Sequence, residues 1–117
     1  VSFTELTISE TWRSSCGEMI FLLIKELGRL DLLDKEIATC LYVAIITDTG
    51  NFRYGSSYAE IFSVAGDLME YGIEKNEIFS NIYDSYSEDR MKLMGYCMSE
   101  KMVVLREFNA AHINSLI

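Results

Sequence analysis

From Ser15 to Met98 the apolar positions recur at three- and four-residue intervals, the spacing of helices that bury one face. Phe3 to Ile8 alternates apolar and polar side chains instead and predicts a short strand. Ser15-Cys16-Gly17-Glu18 then reads as a capping box: Ser15 accepts from the Glu18 amide and the Glu18 side chain reaches back. Behind it Met19, Ile20, Leu22, Leu23 and Leu27 form an apolar stripe that stops at Gly28. A second helix begins at Asp34, a cap for Lys35-Glu36-Ile37. Its apolar residues, Ile37, Ala38, Leu41, Val43, Ala44 and Ile45, leave few polar positions and predict burial on most sides, up to Thr47-Asp48-Thr49-Gly50.

A loop over Asn51 to Ser57 leads to a third helix, capped by Ser57, carrying Ile61, Phe62, Ala65, Leu68 and Met69 and closed by Gly72. Ile78, Phe79, Ile82 and Tyr83 mark a fourth helix. Ser87 caps a fifth, with Met91, Leu93, Met94, Cys97 and Met98. The period then changes: Met102 to Leu105, a break at Glu107 to Asn109, and Ala110 to Ile113 read as a β-hairpin. The chain has no proline to interrupt these helices. The expected class is mainly α, about five helices with short terminal strands.

Composition narrows the function. Half of the 117 residues are hydrophobic and 24% are charged, as in an ordinary globular protein. The longest uncharged apolar stretch, Cys40 to Thr47, is far short of the ~18 residues that span a bilayer. The first residues carry no basic stretch of a signal peptide, and with no initiator Met the chain is expected to be cut from a longer one. A net charge of −8 argues against a binder of long nucleic acid, which needs Lys and Arg to displace counterions from phosphates. Three cysteines, odd in number and set among apolar residues, read as buried reduced thiols of a cytoplasmic protein. A single histidine, His112, excludes any complete scheme that needs two.

The end of the second helix is where chemistry can sit. Asp48 faces the negative end of the helix dipole, at a cost of ~0.3–1 kcal/mol, and a cation against it would offset that cost. A local turn, with Asp48 accepting from the Asn51 or Gly50 amide, is the plainer account. Arg53, five residues on, has a guanidinium that can fork onto a phosphate, or be an ordinary exposed arginine. Glu18 reads as a cap before it reads as a ligand, and Trp12, Tyr83 and Tyr86 as packing residues rather than base-stacking platforms.

The segment Cys40-Leu41-Tyr42-Val43-Ala44-Ile45-Ile46-Thr47-Asp48-Thr49-Gly50-Asn51-Phe52-Arg53-Tyr54 resembles the fourth motif of the DHH/DHHA1 phosphoesterases. Ser14-Ser15-Cys16-Gly17-Glu18 is similar to the family's Ser-Ser-x-x-Glu helix start. Leu68-Met69-Glu70-Tyr71-Gly72-Ile73 is similar to the stretch after the fourth motif, and Ile82 through Gly95 to the helix leading to the DHHA1 domain. Asp48 to Tyr54 is similar to the pattern of the nanoRNA hydrolase and 3′-phosphoadenosine-5′-phosphate phosphatase branch; the cyclic-di-AMP branch usually has Lys where Gly50 stands. Gly55 and Tyr58 depart from the branch, which favours polar and Thr-rich residues there.

That resemblance implies a fragment of an α/β DHH phosphoesterase fold. Residues 1–86 would be the C-terminal part of the catalytic domain, 87–101 a linker helix and 102–117 the start of the DHHA1 domain. It implies a Mn²⁺ cofactor in the parent protein, with Asp48 as a metal ligand and Arg53 as a substrate-binding residue. The substrates would be short oligonucleotides or a nucleotide phosphate, with no membrane partner. The family's earlier aspartate motifs and its Asp-His-His motif have no counterpart here, so the fragment is expected to hydrolyse nothing alone. A non-catalytic helical interaction module is the alternative. An aspartic protease, which Ile46-Thr47-Asp48-Thr49-Gly50 imitates, conflicts with helical periodicity on both sides.

Overall fold

The computed structural model describes residue 5, residues 7–55 and residues 58–114. The chain forms two compact units, Val1–Lys75 and Asn76–Ile117. Among the described residues are five α-helices and one two-stranded sheet, the mainly α class expected. The predicted Phe3–Ile8 strand lies largely outside the described residues.

In the first unit α1 (Cys16–Glu26), α2 (Lys35–Asp48) and α3 (Ala59–Met69) pack against one another. Their shared core is Phe21 from α1, Leu41, Tyr42, Ile45 and Ile46 from α2, and Ile61, Val64 and Leu68 from α3. Each such large side chain stabilises the fold by roughly 1.5–3 kcal/mol on burial. Asp34 caps α2 as its sequence position requires, its Oδ1 accepting from the Ile37 amide at 2.8 Å. Gly28, at φ 67°, follows α1, and a 3₁₀ turn, Leu30–Leu32, leads on to α2. At the start of α3, Tyr58 holds the N-cap position but its side chain makes no capping bond to the helix, and Ser57 lies outside the described residues.

Three expectations are corrected here. The buried face of α1 runs through Gly17, Glu18 and Phe21, while Ile20, Leu23 and Leu27 of the predicted stripe are exposed. That helix is apolar nearly all round, so periodicity alone does not select a face. Likewise Ile37 on α2 is exposed, and the cysteines are free but not buried: Cys16 and Cys40 are exposed and Cys97 half-buried.

Gly17 sets the closeness of the α1–α2 crossing. A Cβ built there would lie 2.8 Å from Cβ of Ala44 and 3.0 Å from the Leu41 carbonyl oxygen. Gly17→Ala is therefore expected to push the helices apart and cost about 1–3 kcal/mol. Chemical denaturation of the variant checks this, and unchanged stability would mean the two backbones are free to separate.

The second unit begins as α4 (Lys75–Phe79) runs into a π-helical turn, Ser80–Asp84. Next comes α5 (Glu88–Tyr96), capped by Ser87, whose Oγ accepts from the Arg90 amide at 3.2 Å. A second π-helical turn, Cys97–Lys101, leads into the hairpin β1 (Met102–Leu105) and β2 (Ala110–Ile113). The strands are antiparallel, with Met102 opposite Ile113 and Leu105 opposite Ala110. Asn109, left-handed at φ 47°, closes the connection after a 3₁₀ turn, a conformation asparagine tolerates better than most residues.

Candidate functional site

Helix α2 ends in a Schellman motif. The Asn51 amide donates to the Ile46 carbonyl at 2.7 Å and the Gly50 amide to the Thr47 carbonyl at 3.3 Å, with Gly50 left-handed at φ 55°. Asp48 is the last helical residue and is exposed. Its Oδ2 accepts from the Ser15 hydroxyl at 2.8 Å, so its partner is the start of α1 and not the amides of its own turn. The local-turn account of Asp48 gives way to a contact spanning 33 residues of sequence. No lysine or arginine pairs with Asp48 among the described residues, although it stands at the negative end of the α2 dipole.

Thr49, which the sequence did not single out, anchors the turn beyond the helix. It is fully buried. Its hydroxyl donates to the Ile45 carbonyl at 2.7 Å and accepts from the Phe52 amide at 2.9 Å. Its carbonyl accepts from the Arg53 and Tyr54 amides, both at 2.9 Å. Between these bonds the chain is left-handed: Asn51 and Phe52 both lie near φ 60°. For Phe52 that conformation costs on the order of 1–3 kcal/mol, and the surroundings hold it, with the Phe52 ring stacked on that of Phe62 at 5.1 Å. The turn leaves Arg53 exposed, its guanidinium 5.7 Å from the centre of the Tyr54 ring. Among the described residues no carboxylate pairs with it.

At the start of α1, Ser15 is the N-cap, accepting from the Gly17 amide at 3.1 Å. Neither bond of the expected capping box forms: Ser15 accepts from the Gly17 amide in place of the Glu18 amide, and the Glu18 carboxylate turns elsewhere. Its side chain is 0% exposed. Oε1 accepts from Arg13 at 2.7 Å and Oε2 from the Tyr58 hydroxyl at 2.5 Å. Arg13 also holds Glu60, at 2.8 Å, and Glu10, and it lies over the Trp12 ring at 4.2 Å. Burial first, and the bond to Glu18 second, push the Tyr58 phenol above its ordinary pKa, so it stays a donor throughout the neutral range. Ser14 adds a bond to the Gly55 carbonyl. Glu18 is thus neither a simple cap nor a free ligand. It ties the segment before α1 to the segment entering α3.

An open depression of about 350 Å³ lies along this edge, lined by residues 8–11, 13–16, Met19 and Asp48. Among the described residues no three histidine, cysteine, aspartate or glutamate side chains are grouped to hold a metal ion. Asp48 fits a cation as one donor of a larger set: an exposed carboxylate oxygen site with no cationic partner, at a helix end that disfavours its charge. His112 is on β2, opposite Val103, in the second unit. Trp12 lies edge-on to Tyr58 at 5.2 Å and Tyr83 lies 5.5 Å from Phe79, while Trp12 and Tyr86 remain exposed. No helix among the described residues is long and apolar enough to cross a membrane.

No family model matches the chain. It is 36% identical over 100 residues to the bifunctional oligoribonuclease and PAP phosphatase NrnA of Thermus thermophilus, covering 83% of this chain and 29% of that protein. To the Bacillus subtilis protein of the same name it is 30% identical over 114 residues, covering 95% of this chain and 35% of the relative. A crystal structure of an exopolyphosphatase-related protein from Bacteroides fragilis superposes with a TM-score of 0.91 at 40% identity, over 97% of this chain and 33% of that one. The chain thus spans about a third of the length of each of these three proteins.

Proposed function

Because the chain belongs, as a segment, to the DHH phosphoesterase family, we propose that it supplies one carboxylate and one phosphate-binding arginine to a Mn²⁺-dependent hydrolase. The proposed substrates are short oligonucleotides or 3′-phosphoadenosine 5′-phosphate. The observation that carries this reading is the placement of Asp48 and Arg53 at the same helix end, each without an ion-pair partner among the described residues. Asp48 is exposed, lacks a cationic partner among the described residues and is fixed from α1. Arg53 is presented beyond the same Schellman motif by a strained, fully bonded turn.

A bound divalent ion would supply activation of water and neutralisation of developing phosphoryl charge. Asp48 would hold it through a carboxylate oxygen, the donor type that suits Mn²⁺. Arg53 would bind a phosphate oxygen pair through its planar fork. Thr49 keeps both in place, since its hydroxyl and carbonyl fix the turn that separates them. The remaining metal ligands would come from outside this segment, so the segment alone would not turn over.

The test compares the full-length protein with this segment, each purified, on 3′-phosphoadenosine 5′-phosphate and on di- to pentanucleotides with Mn²⁺. Metal-dependent release of phosphate or mononucleotide by the full-length protein, and none by the segment, is the expected outcome. A full-length protein inert on both substrates would overturn the substrate assignment. Metal-dependent turnover by the segment, scaling with its concentration, would overturn the division of ligands. A helical interaction module without chemistry predicts neither protein to be active.

A further inference from the structure

The contact between Ser15 and Asp48 joins two elements that sequence keeps 33 residues apart. Ser15 is 4% exposed, so its hydroxyl is shielded from competing water. That hydroxyl has one hydrogen. Its oxygen already accepts from the Gly17 amide at 3.1 Å, which leaves the hydrogen free for Oδ2 of Asp48 at 2.8 Å. The chain of bonds is therefore directional: Gly17 amide to Ser15 hydroxyl to Asp48 carboxylate. It exists because the two helices cross so closely that Gly17 has no room for a side chain beside Ala44.

We propose that Ser15 is a positioning residue for the Asp48 carboxylate, holding one oxygen so that the other is presented to a divalent cation. This rests on Asp48 being a metal ligand. A carboxylate at a helix end otherwise turns freely about its last bond, and each ligand's orientation would have to be fixed on binding. Outer partners of this kind commonly change metal affinity about 10–100-fold. Exposure of the Asp48 side chain makes the anchor more consequential, since no other described residue restrains it through an ion pair.

The cap and the anchor can be separated by substitution. Glycine is nearly as good an N-cap as serine, but has no hydroxyl to donate. Threonine keeps both functions. The measurement is Mn²⁺ titration of the full-length apoprotein, followed by electron paramagnetic resonance of the free ion, for Ser15→Gly, Ser15→Ala, Ser15→Thr, Asp48→Asn and the Ser15→Gly/Asp48→Asn pair. Melting of each apoprotein is measured alongside.

Ser15→Gly is expected to keep its helix cap, to lose from its melting temperature only what the bond to Asp48 contributes, and to bind Mn²⁺ about 10–100-fold more weakly. Ser15→Ala should match its affinity, and Ser15→Thr should recover most of the loss. The paired variant should bind no more weakly than Asp48→Asn alone, because Ser15 acts only through that carboxylate. Unchanged affinity in Ser15→Gly, with Asp48→Asn impaired, rejects the positioning role and leaves Asp48 as a ligand. A Ser15→Gly loss that persists in the Asp48→Asn background also rejects it, as does a threonine variant as weak as glycine. Should Asp48→Asn itself bind Mn²⁺ normally, the ligand reading falls and the positioning role with it.

Discussion

Asp48→Asn in the full-length protein is expected to lower Mn²⁺-dependent hydrolysis by a factor of about 10² or more, because metal activation of water provides much of the barrier lowering. Asparagine keeps the side-chain shape, and its carbonyl oxygen can still accept from Ser15 at the position Oδ2 now holds. What disappears is the negative charge. Two effects on apo stability then oppose each other. Removing a charge from the C-terminal end of α2 relieves roughly 0.3–1 kcal/mol. Weakening a charge-assisted bond from Ser15 to a neutral one costs about as much. The melting temperature should hardly move. Asp48→Ala differs: it leaves the buried Ser15 hydroxyl without its acceptor, an added cost of about 1–3 kcal/mol before the dipole relief. Activity is lost in both variants and stability in one. A purely structural Asp48 predicts the asparagine variant to be fully active, and that result would sink its role as a ligand.

The same residue shows where sequence was informative and where it was not. Local chemistry is written locally. Asp34 and Ser87 cap their helices where a short polar side chain precedes a first turn with acidic residues, and Gly50 stops α2 through the left-handed turn that glycine allows. The hairpin was legible from the change of period at Met102 and the break before Asn109. Contacts closed over long sequence separations were not. Ser15 looked like half of a capping box, and nothing near it announces Asp48. Glu18 looked like the other half, yet its partners are Arg13, five residues before it, and Tyr58, forty after it. Thr49 is inconspicuous in a Thr-Asp-Thr run, because only the folded turn shows five hydrogen bonds meeting there, that of its own amide included. On α1, Phe21 and Ile20 are equally apolar neighbours. Packing on α2 and α3 decides that Phe21 is core and Ile20 is not.

Glu18→Ala is expected to destabilise the full-length protein by about 3 kcal/mol, toward the low end for breaking a buried ion pair from one side. The carboxylate is fully buried, and its removal strips Arg13 of its one buried counter-charge. Glu10 and Glu60 still face that guanidinium, which keeps the cost from being larger. Tyr58 loses the acceptor its hydroxyl reaches at 2.5 Å, and Ser14, at 3.2 Å, is a poorer substitute. Glu18→Gln retains an acceptor for Tyr58 and the side-chain volume, so about half the loss or less should remain. A helix-cap role predicts something else: an alanine penalty of about 0.5–2 kcal/mol, independent of Arg13. The two are told apart by a cycle of Glu18→Ala, Arg13→Met and the pair, each unfolded in denaturant. Side chains that share one buried cluster should couple by about 0.5–3 kcal/mol, with the double variant less destabilised than the sum of the singles. Additive losses would show that Glu18 and Arg13 act separately, and the tie between the start of α1 and the entry to α3 would then have to rest on Ser14 and Tyr58 alone.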